Sequence, residues 1–406
     1  MTVALPGHRR RPEAGSAVVP RRRHHLPTIG PPPGTSTGTF TVLLLLVCVL
    51  VPFGLVMVIS SSSLAALEEA NSTWSYSIRQ AIWAGLGVVG GAVALWSDRA
   101  TWRRWCRVGL LAVVALLLAV LAVGAEINGA RRWVAVGPIQ IQPSELAKIA
   151  LILFITDLLA RRSREMDDPR RTLWPVVGVV GGVSMLVLLQ PNLGTTLVIA
   201  AIALAMLFAA GARLRALGVV GVVVGVAAAL LVWFEPYRRR RLLAMFDPWS
   251  NESDSGYQAI QAGVGLSDGG LTGLGLGQSK AKWGYLPFAH TDFVFAIIGE
   301  ELGLIGALAV VLLFVVLAFL GVRAAVRASD RFSALVAVGI TTWLVAQAFL
   351  NIAVVLGLVP NTGVPLPFIS YGGSSLLVTM VAVGMLLNIA RHPRPLDGPD
   401  GSPARR

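Results

Sequence analysis

The sequence predicts an all-α integral membrane protein of ten transmembrane helices, with both termini in the cytoplasm. Three observations carry that prediction. Of 406 residues, 55% are hydrophobic and 14% charged, with a mean hydropathy of +0.71, whereas a soluble fold carries about 25% charge. The apolar residues gather into ten blocks, each near the roughly 20 residues that a helix needs to cross a bilayer. Lys and Arg fall mostly on one side of those blocks.

Residues 1–39 are polar and Pro-rich and hold Arg9, Arg10, Arg11, Arg21, Arg22 and Arg23. Nothing in them can bury a core, so they are expected to form a disordered cytoplasmic tail. The block 40–59 is too long, and its cleavage flank too poor, for a removed signal peptide, so it is expected to remain as a signal anchor. Further blocks run at about 78–96, 107–125, 144–160, 173–189, 193–210, 216–234, 293–322, 332–358 and 372–390. Residues 40–391 thus read as one membrane domain, and 392–406 as a cytoplasmic C-terminal tail.

With the N-terminus inside, the cytoplasmic segments hold 24 of the 34 Lys/Arg residues, and the formal charge divides into +15 inside and −2 outside. Such asymmetry supports N-in, C-in topology with an even number of spans. It also accounts for the net charge of +13 without a nucleic-acid partner. Cys48 and Cys106 are too few for a disulfide scaffold or a Cys-based metal site, and no repeat of solenoid period is visible.

The only long connection, about 235–292, joins spans seven and eight on the external side. It opens with Arg238, Arg239, Arg240 and Arg241. A guanidinium fork suits phosphate, and ordinary anionic lipid headgroups are an equal alternative on charge alone.

Three segments carry ionisable or irregular residues where they are expensive. In Leu286-Pro287-Phe288-Ala289-His290-Thr291-Asp292-Phe293, Asp292 stands where the long connection meets span eight. Partial desolvation there would raise its pKa towards that of a usable general base, but spacing alone favours a helix cap by Thr291 or Asp292. His290 is either a proton shuttle or a polar loop residue. Glu300 and Glu301 lie two turns deeper, so at least one must point into the bundle. In Gln142-Pro143-Ser144-Glu145-Leu146-Ala147-Lys148, Glu145 and Lys148 share a helix face at i, i+3, which favours an ion pair. The alternative is a cation presented to an outer cavity. Arg131-Arg132-Trp133 precedes it in the same external connection. The third segment, 361–375, holds two prolines and three glycines between two strong spans. It reads as a re-entrant or tightly packed loop.

Other motifs fail. Gly273-Leu274-Gly275-Leu276-Gly277-Gln278-Ser279-Lys280 lacks the order of a phosphate-binding loop. Asn71-Ser72-Thr73 and Asn251-Glu252-Ser253 match glycosylation acceptors, which matter only in a host that glycosylates exported proteins. No His/Cys constellation suggests zinc or haem.

Taken together, the segments resemble the SEDS family of bacterial envelope proteins (FtsW, RodA and the sporulation homologue). The matches are Arg131-Arg132-Trp133, Gln142–Lys148, Gln190-Pro191-Asn192-Leu193-Gly194-Thr195, Tyr237–Arg241 with Asp247-Pro248-Trp249, Ser267-Asp268-Gly269-Gly270, His290–Phe293 and Leu366–Ser375. They keep the family's order over roughly 40–390. Gly275–Ser279 with Lys282, and Phe295–Glu301, look more like FtsW than RodA.

The resemblance implies a ten-helix glycosyltransferase that polymerises lipid II, the lipid-linked disaccharide-pentapeptide, on the outer face of the bacterial cytoplasmic membrane. An FtsW-like member would act at the division septum, with a class B penicillin-binding protein as crosslinking partner among other divisome proteins. It assigns Asp292 as the catalytic carboxylate. Trp133, Lys148, Arg238, Arg239, Arg240, Arg241, His290, Ser370 and Gly372 would line the substrate cavity, and Glu145, Asn192 and Glu300 would support it. A divalent cation could assist, but no ligand set is named. Two positions depart from the family: Asn192 stands where Asp is common, and Phe288 where Glu is frequent. The rivals are a lipid II flippase, a RodA-type polymerase of the elongation machinery, and a scaffold that only anchors a synthase.

Overall fold

In the computed structural model the described residues are 38–70, 72–127, 130–136, 139–166, 168–251 and 256–392. The N-terminal tail up to residue 37, the C-terminal tail from 393, and the acceptor positions Asn71, Glu252 and Ser253 lie outside them. Of the described residues, 77% are helical. Ten helices stand on the ten apolar blocks: α1 (Gly38–Ala70), α2 (Ser75–Trp96), α3 (Arg99–Val123), α4 (Pro143–Arg161), α5 (Leu173–Leu189), α6 (Leu193–Ala209), α7 (Leu214–Phe234), α10 (Val294–Val326), α11 (Arg331–Val355) and α12 (Gly373–Arg391). Seven are long and apolar enough to cross a membrane. Two of the others, α5 and α6, have 17 residues each, about 26 Å of helix against a core of about 30 Å. The third, α4, carries Glu145, Lys148, Asp157 and Arg161.

Local signals set the ends. Pro143 occupies the first turn of α4, where its missing N–H costs nothing. Asn192 caps α6, its side chain accepting from Thr195 N–H at 3.1 Å, and Asp98 and Asp330 cap α3 and α11. Small residues set the closest approaches: a Cβ at Gly384 of α12 would lie 2.1 Å from the Gly91 carbonyl of α2, the kind of contact that packs membrane helices. α11 and α12 form the centre of the bundle, whereas no residue of α7 is buried.

The helical bundle is as expected, and its connections hold further structure, including one short sheet. Between α3 and α4 the chain forms a small antiparallel sheet, β1 (Ala125–Ile127), β2 (Ala130–Val136) and β3 (Ile139–Ile141), in that order. Ala125 pairs with Trp133, and Val134 with Ile141; the β-branched and aromatic residues there favour a pleated ribbon. The long connection is not loose either. It contains α8 (Pro236–Phe246), a 3₁₀ turn at Pro248–Asn251 and α9 (Tyr257–Asp268).

Beyond α9 the chain enters the bundle. Gly303 breaks the ladder of α10 with φ 66° and ψ −167°. The freed groups pair with residues 270–275: Leu274 and Gly275 donate to the carbonyls of Glu300 and Glu301, and Leu304 and Ile305 donate to Gly270 and Leu271, at 2.9–3.2 Å. Irregular backbone among membrane helices persists only when its polar groups are met in this way. A Cβ at Gly273 would lie 2.2 Å from the Glu301 carbonyl, so the segment GLGLG is a close-packed insert.

Candidate functional site

Asp292 lies in the turn 288–293, just ahead of α10. Its N–H donates to the Phe288 carbonyl at 3.2 Å, as does that of Thr291 at 3.1 Å. Neither side chain caps the helix: Phe293 takes the N-cap position with no side-chain bond, and Thr291 Oγ1 donates back to Phe288. The capping expectation is therefore overturned, and the carboxylate is turned towards the segment 361–371. A Cβ at Gly363, which has φ 66°, would sit 3.6 Å from Asp292 Oδ2. Burial pushes the Asp292 pKa up to about 6, while the guanidiniums of Arg241 and Arg132 pull it down.

Those two cations arrive from different elements. Arg241, on α8, donates from Nη1 to the Asn361 carbonyl at 3.0 Å. Arg132, on β2, donates to the carbonyls of Gln190 (2.9 Å) and Pro191 (2.6 Å) beyond α5. Helix geometry divides the arginine run, with Arg238 and Arg241 half-buried and Arg239 and Arg240 exposed. Trp133 is half-buried on β2, beside Arg132.

The segment 361–371 is held by buried amides from α11 and α2. Asn351 of α11 donates to two main-chain carbonyls at once, Asp292 at 2.7 Å and Val364 at 2.8 Å. One turn earlier, Gln347 donates to the Pro365 carbonyl at 2.9 Å. Gln80 of α2 donates to the Ser370 carbonyl and accepts from Gly372 N–H. Ser370 is buried, and its hydroxyl accepts from Leu366 N–H at 2.8 Å. Gly54 of α1 lets that helix close on the loop, since a Cβ there would meet the Phe368 carbonyl at 2.2 Å. Phe288 and Phe368, with φ 59° and 66°, bracket the site in the left-handed region that non-glycine residues rarely occupy.

Lys148 lies in a buried network. Its Nζ donates to Glu145 Oε1 at 2.8 Å and to Gln347 Oε1 at 2.7 Å, and it stands 4.6 Å from the Trp343 ring centroid. Side-chain exposure is 1% for Lys148 and 3% for Glu145, which is the ion pair that the spacing favoured. Through Gln347 the pair reaches Pro365, and so the loop beside Asp292. Asn192 is committed to capping α6. The His290 ring clusters with Tyr76 and Tyr371, with centroids 4.8–5.7 Å apart, and its carbonyl accepts from Tyr371 N–H.

Glu300 and Glu301 both face inward, at 1% and 0% exposure. Glu300 accepts from Ser279 Oγ and from the N–H groups of Lys280 and Ala281. Glu301 accepts from Ser60 Oγ of α1 at 2.6 Å and pairs with Lys282 at 3.4 Å. These acids brace the inserted segment. Among the described residues no three His, Cys, Asp or Glu side chains gather as metal ligands.

Gln80, Gln347 and Asn351 escaped the reading of the sequence. Their signal was present, because an amide inside an apolar block must find a partner. Amides carry no charge, however, and a search for ionisable groups passes over them.

Comparison with known proteins agrees with this architecture. Residues 40–395 match the profile described as cell cycle protein, of the FtsW, RodA and SpoVE type. Stage V sporulation protein E of Bacillus subtilis is 40% identical over 360 residues, covering 88% of this chain and 98% of its own. A probable peptidoglycan glycosyltransferase FtsW of Geobacter sulfurreducens is 42% identical over 352 residues, 86% and 94% of the two chains. Among solved structures, a chain from a peptidoglycan synthase complex coordinating polymerization and crosslinking superposes with a TM-score of 0.72 at 31% identity, covering 86% and 97%. The rod shape determining protein RodA of Thermus thermophilus gives 0.62 at 29%, covering 86% and 96%. The chain is therefore a multi-pass membrane protein belonging to the FtsW/RodA/SpoVE family.

Proposed function

We propose that this chain polymerises lipid II into peptidoglycan glycan strands at the outer face of the bacterial cytoplasmic membrane, serving septal wall synthesis. Ten spans with both termini inside would place α8, α9 and Asp292 externally. One observation above all supports the reading: a carboxylate that caps nothing, raised by burial to a pKa of about 6, with Arg241 and Arg132 acting on it. Near neutral pH such a group is largely ionised yet close enough in pKa to accept a proton.

The acceptor's sugar 4-hydroxyl attacks the anomeric carbon of the donor as Asp292 takes its proton, and the carbon–oxygen bond to the lipid pyrophosphate breaks. General-base assistance contributes about 10²–10⁴-fold in rate. Arg241 and Arg132 are the cations for charge growing on the departing pyrophosphate, with Arg238 on the same face of α8. Lys148, Glu145, Gln347 and Asn351 act behind them, holding the loop and the Asp292 main chain in place. A class B penicillin-binding protein is the proposed partner, in keeping with the synthase complex to which the fold is similar.

The test is purified full-length protein in liposomes with lipid II, with and without that partner, scored for glycan chains. Wild type makes chains and Asp292→Asn does not, while still binding the substrate. Polymerisation by Asp292→Asn at the wild-type rate ends the base assignment. Translocation of the headgroup without any polymer moves the protein to the transporter class.

A further inference from the structure

The outward face of α8 and its following turn has no use in the chemistry above. Half-buried Arg238 and Arg241, with buried Ala244, form the inward side, which Arg241 fixes to Asn361. The opposite side presents Arg239 and Arg240 at one end and then Leu243, Phe246 and Trp249, which are 57%, 75% and 67% exposed. Three large apolar side chains in water have a real cost, since each buried aliphatic or aromatic side chain is worth roughly 1.5–3 kcal/mol relative to leaving it exposed. They do not belong to the protein core, so something else covers them.

The neighbouring helix identifies the occupant. α7 is a 21-residue, predominantly apolar helix with none of its residues buried, and it ends on the exposed Trp233 and Phe234, only two residues before α8 begins at Pro236. The lipid-facing surface of α7 therefore runs directly into the outward face of α8. Basic residues beside Leu, Phe and Trp on one face are the composition of a helix that lies in the membrane interface, where Trp concentrates. We infer that α8 is an interfacial anchor: Leu243, Phe246 and Trp249 enter the outer edge of the bilayer, and Arg239 and Arg240 engage the phosphates of anionic lipids. One arginine run thereby serves two surfaces by helical phase. Arg241 acts on Asp292, Arg238 shares its inward side, and the two between them face lipid.

Full-length protein with Cys48→Ser and Cys106→Ser tests this, carrying an environment-sensitive fluorophore at Phe246→Cys or, in a second protein, at Trp249→Cys. Each is reconstituted in zwitterionic vesicles and in vesicles containing phosphatidylglycerol. Nitroxide-labelled lipids should quench both positions, and aqueous iodide should not. Adding Arg239→Gln and Arg240→Gln should lower the docked-to-free ratio roughly thirtyfold in the anionic vesicles and much less in the zwitterionic ones. Iodide quenching without nitroxide quenching at both positions would overturn the anchor. So would displacement by inorganic pyrophosphate, which marks a site for soluble phosphate, or protection that appears only when the crosslinking partner is added. None of these readouts depends on polymerisation, so the anchor and the proposed activity stand or fall separately.

Discussion

If Asp292 is the base, the rate follows its ionised fraction, and Arg241 tunes that fraction from α8. With the carboxyl at about 6, about nine-tenths of it is ionised near pH 7. Burial is the larger influence and raises the pKa; Arg241 is the leading influence that opposes it. Arg241→Gln must therefore shift the profile to higher pH. A nearby opposite charge moves a carboxylate by about 1–3 units, and a rise of only one unit brings the ionised fraction near pH 7 to about half. Ionisation alone then lowers polymerisation about twofold near neutrality, and that part is recovered above about pH 8. Loss of pyrophosphate stabilisation lowers the rate at every pH, so the two effects separate in a profile taken from about pH 5 to 9. Arg241→Lys keeps the charge and should keep the midpoint. Glycan-chain formation from lipid II in liposomes, initial rate against pH, is the assay. A midpoint that stays in place or moves to lower pH in Arg241→Gln would refute the electrostatic reasoning.

Other outcomes follow from the same geometry. Because the Asp292 pKa lies above its unfolded value, the folded state is progressively destabilised as pH rises from about 4 to 6; Asp292→Asn should relieve up to about 3 kcal/mol at neutral pH, read as a raised Tm in detergent alongside lost activity. Asn351→Leu removes two bonds to buried carbonyls, each loss costing about 1–3 kcal/mol. It should lower Tm and kcat with little change in KM or in the pH midpoint, and a wild-type kcat would show that Asn351 does not position Asp292. Lys282→Met strands Glu301 at 0% exposure and should cost about 3–5 kcal/mol, with most of it regained in Lys282→Met/Glu301→Leu; equal Tm for the single and double variants would argue against the pairing. Phe288 holds φ 59° and is 46% exposed, so Phe288→Gly should be neutral or stabilising by about 1 kcal/mol in a thermal melt, whereas Phe288→Ala should not be.

The amino-acid sequence alone determined where the ten helices lie, because hydropathy over some 20 residues is a local sum that no neighbour can alter. Predicted 173–189 and observed Leu173–Leu189 coincide, and the Glu145–Lys148 pair follows from helical repeat alone. Only the tertiary structure decided what each isolated polar residue does. That Asp292 faces Gly363 instead of capping α10, that Asn351 grips both Asp292 and Val364, and that the glycine-rich 270–275 docks on a broken helix all depend on which helices meet. Long-range pairing of this kind leaves no periodic trace in the chain: a buried hydrogen bond is specified by two residues far apart, and either one alone reads as a polar exception in an apolar run.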